Sequence, residues 1–105
     1  MALYDRLMGI DSAPRIPIHY FSATMAEFAR GRITGAQAQA ILDAASGASL
    51  SASEIVEVNA LLATVTGSAT AKLSRANEID DVLMLAERQF PPYNTPALVK
   101  TRLGV

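Results

Sequence analysis

The sequence predicts an all-α domain of five or six short helices, in an orthogonal or bundle-like arrangement. Three observations lead there. Thr34-Gly35-Ala36-Gln37 and Ser51-Ala52-Ser53-Glu54 have the form of capping boxes, and Thr95-Pro96 places an N-cap before a proline at the first helical position. Glycines stand where the preceding helices should stop, at Gly9, Gly31, Gly47, Gly67 and Gly104. Between these marks the apolar residues recur at helical spacing.

The first helix is expected over Ala2 to Met8, with Leu3, Tyr4, Leu7 and Met8 on one side and Gly9 as its stop. Ile10 to Arg15 then reads as a turn, with Asp11, Ser12 and Pro14 as breakers. The second helix starts at Pro17 as an N1 proline and runs to Arg30. Ile18, Phe21, Met25 and Phe28 follow at spacings of three, four and three on one face. A competing reading makes Arg15 to Phe21 a strand, but no partner strand is evident.

The third helix begins after Thr34, turns Ala38, Ile41, Leu42 and Ala45 inward, and ends before Gly47. The fourth begins after Ser51, buries Ile55, Val58, Leu62 and Val65, and ends at Gly67. The short link between these two favours antiparallel neighbours. The fifth and longest runs from Ala69 to Gln89. Leu73, Ala76, Ile79, Leu83, Ala86 and Phe90 mark its face, and Val82, Met84 and Leu85 imply cover on a further side. Pro91-Pro92 forbids continuation. The last helix spans Pro96 to Leu103, with Leu98, Val99 and Leu103 inward. The expected core is Leu7, Phe21, Met25, Phe28, Ile41, Leu42, Ile55, Leu62, Leu73, Leu83 and Leu98.

A chain of 105 residues makes a single domain, residues 1–105, that can fold without a metal or disulfide. Half of it is hydrophobic, but much of that is alanine, and the chain has six aromatic residues and no tryptophan. The core is therefore thin, and helix propensity must supplement burial. The net charge of −1 creates no large field for nucleic acid or an anionic membrane. The absence of cysteine removes thiolate nucleophiles and zinc–thiolate sites. The first six residues lack a basic start and a continuous apolar stretch, so no signal peptide is expected, and no membrane span is expected either.

No catalytic, cofactor-binding or metal-binding constellation emerges. His19 is the single histidine, and a metal site needs several ligands held together. Asp5, Glu27 or Asp43 could approach it in space, although no spacing brings them together; a partly exposed histidine near a helix start explains it. Glu78, Asp80 and Asp81 cluster on the fifth helix, but adjacent aspartates point about 100° apart and do not converge on one ion. They read as a solvated face, pairing with Arg75 or Arg88. Arg30-Gly31-Arg32 suits a helix C-terminus without any ligand. The turn at Gly67, followed by Lys72, Ser74, Arg75 and Asn77, gives a helix-turn-helix alternative, a small DNA-binding regulator. The acidic residues that follow would repel phosphate, so nucleic acid is not an expected partner. An enzyme would need a polar pocket around His19 or Asp80.

The segment Phe90-Pro91-Pro92-Tyr93-Asn94 combines two aromatics with a stiff, extended backbone. Such a segment loses little entropy on docking and suits a contact arm. The plainer reading is a connector with Phe90 and Tyr93 folded onto the core. The candidate protein-interface residues are thus Leu3 and Tyr4 on the first helix, and Phe90, Pro91, Pro92 and Tyr93.

Three stretches carry a resemblance. They are Leu3-Tyr4-Asp5-Arg6-Leu7; Ile16-Pro17-Ile18-His19 leading through Ala26-Glu27-Phe28-Ala29-Arg30-Gly31 to Ile33-Thr34-Gly35-Ala36-Gln37; and Asp81-Val82-Leu83-Met84-Leu85-Ala86-Glu87 with the ending Thr101-Arg102-Leu103-Gly104-Val105. In their order they resemble short helical proteins encoded among the structural genes of tailed bacteriophages. The resemblance implies a non-enzymatic virion or assembly component, of capsid, neck or tail, made in the host cytoplasm. Its partners would be other virion proteins and copies of itself, with no cofactor and no small-molecule substrate.

Overall fold

The computed structural model describes residues 2–10 and 14–105. These residues are all-helical. Six helices follow in order: α1 (Ala2–Met8), α2 (Ile18–Ala29), α3 (Gly35–Ala45), α4 (Ala52–Leu62), α5 (Ala69–Glu87) and α6 (Pro96–Leu103). No strand occurs among the described residues, so the strand reading of residues 15–21 is overturned. Part of the turn expected over residues 10–15, at 11–13, lies outside the described residues.

The caps act as their residue types require. Thr34 accepts from the Gln37 amide, and the Gln37 side chain accepts from the Thr34 amide at 2.8 Å. Ser51 and Glu54 form the same reciprocal pair. Thr95 accepts from the Leu98 amide, and Ser68, an N-cap with no capping-box partner, accepts from the Ala71 amide. Each satisfies an amide that would otherwise lack a partner at a helix start.

The ends of α1, α2 and α6 share one hydrogen-bond pattern. At Gly31 (φ 74°) the glycine amide bonds to Phe28 O and the next amide, of Arg32, reaches back to Glu27 O. The glycine supplies the left-handed conformation this closure needs. The same pattern closes α5, but there the left-handed residue is Gln89 (φ 54°), with Phe90 N–H on Leu85 O. The helix therefore ends at Glu87, two residues short of the expected Gln89.

Two other boundaries differ from expectation. Pro17 is the N-cap of α2 and not its first residue. Its ψ of 129° keeps the chain extended while Ile16 drops into the core. α4 stops at Leu62, well before Gly67. There the Thr64 hydroxyl donates to Leu61 O at 2.7 Å, and the amides of Thr64 and Val65 tighten onto the third residue back. Val65 is buried all the same, so its apolar position is satisfied outside the helix.

α5 is the spine. α2 packs along it most extensively, α6 packs on it as well, and α3 bridges α2 to α4. α1 packs on α4, α5 and α6 together. A seven-residue helix held by three others has little surface left, and Leu3, Tyr4 and Leu7 are fully buried. Of the expected core, Leu7, Phe21, Met25, Leu42, Leu62 and Leu83 are buried. Phe28, Ile41, Ile55, Leu73 and Leu98 are only half-buried. Ile18, Val58, Ile79 and Val99, which the spacing placed on inward faces, are buried, and Leu3, Tyr4, Ile16 and Leu61 complete the interior. The further cover expected over the end of α5 reaches Val82 but leaves Met84 exposed.

A buried polar knot joins α1 to the α3–α4 link. Arg6 meets the Glu54 carboxylate, and its remaining donors reach Pro14 O and Ser46 O. On the same face the Leu3 amide donates to Glu57, so a carboxylate sits at the positive start of α1.

Candidate interaction surfaces

The first-helix half of the expected contact surface does not exist in the folded chain. Leu3 and Tyr4 are both 0 % exposed, because α4, α5 and α6 close over them. Burial, with the neighbouring Glu57 carboxylate, holds the Tyr4 phenol above its ordinary range, against a smaller opposing effect of Arg75. Its hydroxyl oxygen has no hydrogen-bond partner. Tyr4 is a core residue.

The second half is arranged differently from an extended arm. Residues 90–93 make a turn in which the Tyr93 amide donates to Phe90 O at 2.7 Å, and the Pro91–Pro92 peptide bond is cis. The two aromatics part company there. Tyr93 is half-buried against the core, with the Arg102 guanidinium 5.7 Å over its ring. Phe90 is 58 % exposed. It is exposed because α5 closes at Gln89, which takes Phe90 off the helical face that the sequence spacing assigned it. Pro91 and Pro92 are exposed beside it. The segment thus presents one large apolar side chain on a turn fixed at both ends.

His19 is exposed near the start of α2, and none of the three carboxylates considered for it is its neighbour in a groove. Glu27 pairs with Arg30 and Arg32, and Asp43 accepts the Leu50 amide at 2.7 Å, which fixes the α3–α4 link. Asp80 instead lies with His19, Ser22 and Asn77 around an open groove of about 290 Å³ between α2 and α5, floored by alanines. The Ser22 oxygen is buried and has no partner, so no general base holds it in this arrangement. Glu78 pairs with Arg75 as expected for a solvated helix face. Among the described residues, no group of three or more His, Cys, Asp or Glu is placed to hold a metal ion.

Beside it on α2 a second groove of about 180 Å³ is lined mostly by apolar surface of Tyr20, Ala23, Ile33 and Ile41, with Thr24 and Glu27 at its edge. Ala23 borders both grooves. Sequence reasoning missed both grooves, since the first joins α2 to α5 and the second joins α2 to α3 and the link before it.

Arg75, one of the cations of the helix-turn-helix alternative, is engaged internally. It donates to Thr64 Oγ1 and to Leu103 O and pairs with Glu78. Among the described residues, no helix is long and apolar enough to cross a membrane.

No protein-family model matches the chain, and searches of curated proteins and of solved structures find no match.

Proposed function

We propose that this chain is a structural or assembly protein of a tailed-bacteriophage particle, a non-enzymatic part that works by binding other virion proteins and copies of itself. The observation that carries the reading is Phe90. A bulky apolar side chain stands 58 % exposed while its turn partner Tyr93 is clamped onto the core. Exposed aromatics on rigid supports are the usual anchors of protein interfaces, because little order remains to be imposed on docking. The order of the three sequence stretches supports the particle setting, and a thin, alanine-rich core suits a protein that gains stability from its neighbours.

The test is mass spectrometry of gradient-purified particles from a host carrying the gene. The reading expects this chain at a fixed ratio to the major capsid protein. Its absence from particles, together with a monodisperse monomer that binds no capsid or tail component, would refute it.

A further inference from the structure

One line along α5 stays clear of the fold. The buried residues of this helix, Ala76, Ile79, Val82, Leu83 and Ala86, share one side. At about 100° per residue, the opposite side is centred on Asp81 and Arg88, which point within about 20° of each other. Met84 and Leu85 lie about 50° to either side of that line. Asp81 and Arg88 are exposed, Met84 is 36 % exposed and Leu85 is half-buried. With Asp80 they border an open hollow of about 520 Å³.

The charges on this line have no partner in the chain. Among the described residues, the side chains of Asp80, Asp81 and Arg88 enter no hydrogen bond or ion pair. The charges flanking the line do: Glu78 pairs with Arg75, and Glu87 with Arg15 at 4.0 Å. Asp81 and Arg88 do not meet each other, because side chains on one helix meet at spacings of three and four, and these two stand about 10 Å apart along the axis.

A second copy of the same face supplies both missing partners. Laid antiparallel, with a two-fold axis level with the Met84–Leu85 step, it sets its Arg88 opposite Asp81 and its Asp81 opposite Arg88. Met84 and Leu85 of the two copies then cover one another at the centre. Asp80, which borders the α2 groove on one side of Asp81, adds to the negative end that receives the arginine. A parallel copy would oppose like charges at both ends, so the charges select the antiparallel arrangement.

We propose that this face of α5 joins two copies of the chain in a two-fold dimer, with Asp81 and Arg88 paired at both ends. The inference rests on the self-binding in the reading above and names its surface. The contact spans about two helical turns, which places it among small, weak interfaces that gain strength from many copies.

The test is sedimentation velocity of the purified chain over a concentration series up to about 1 mM. The wild type should show a concentration-dependent dimer that weakens as salt rises from about 0.05 to 0.5 M. Asp81→Arg and Arg88→Asp should each weaken dimerisation at least about tenfold, because each puts like charges together at both ends. An equimolar mixture of the two variants should dimerise again, and so should the double variant Asp81→Arg with Arg88→Asp. Thermal melts of dilute samples check that all the chains fold alike.

A wild type that stays monomeric throughout would overturn the proposal. So would a dimer insensitive to salt, single variants that dimerise as the wild type does, or a double variant no better than the singles. A chain found in particles that never dimerises would sink this inference alone. A dimer of a chain absent from particles would sink only the particle reading.

Discussion

Arg6 and Glu54 form an ion pair at 3.1 Å, with side chains 3 % and 6 % exposed, between helices far apart in sequence. Glu54 holds two structures at once. It completes the capping box of α4 by accepting from the Ser51 amide, and it neutralises Arg6 from α1. Arg6 in turn supplies the donors for two carbonyls of the connecting segments.

Removing one member of such a pair leaves the other charge buried alone. Arg6→Met should therefore cost about 3–5 kcal/mol, against about 5–15 kcal/mol for a typical domain. Urea unfolding measures this. A loss below about 1 kcal/mol would mean that the pair is solvated and α1 is not locked.

Tyr4→Phe should act in the opposite direction. It removes a buried hydroxyl that has no partner and keeps the ring that fills the core. A gain of about 1 kcal/mol is expected, or about 4–8 °C in melting temperature. A clear loss would show that the hydroxyl is bonded in solution.

The same residue sets a pH dependence. Burial raises the Tyr4 pKa in the folded state above its ordinary value near 10. Below that value both folded and unfolded chains keep the proton, and stability from this source is complete. Above it the unfolded chain ionises first, so stability falls as pH rises into the alkaline range. Denaturation series above about pH 10 should show a steeper fall for the wild type than for Tyr4→Phe. Parallel curves would contradict the assignment.

The helix ends predict a pair of substitutions of opposite sign. Gln89 occupies the left-handed position that glycine fills at Gly31. Gln89→Gly should stabilise by about 0.5–1 kcal/mol, and Gly31→Ala should destabilise by about 1 kcal/mol. At Gly31 no atom lies within 4 Å of an added methyl group, so the loss isolates the backbone cost. Thermal melts of both variants decide it.

What was legible in the sequence was local. Thr34, Ser51 and Thr95 announce their helices because a cap is made within four residues. Gly9, Gly31 and Gly104 announce ends for the same reason. The errors came where a local signal was absent or outweighed. Gln89 carries no glycine signal, so α5 read two residues long and Phe90 was placed on a helical face. Thr64 turned its hydroxyl onto the backbone and stopped α4 early. Leu3 and Tyr4 resembled an exposed edge because nothing in a seven-residue segment reveals that three other helices cover it. The same limit hid the Arg6–Glu54 pair and the grooves beside α2, whose residues meet only after the helices pack.

Phe90 should matter for docking and not for folding. Its side chain is largely exposed, so Phe90→Ser should change stability by no more than about 0.5 kcal/mol. Docking should nevertheless fall, since truncating a buried anchor costs an interface about 2 kcal/mol or more.

The most direct measurement is a competition in which wild-type and Phe90→Ser chains are co-produced during particle assembly and counted in the purified particles by mass spectrometry. A protein that works by docking through this side chain should load at least about tenfold in favour of the wild type. Equal loading of two equally stable chains would contradict that claim.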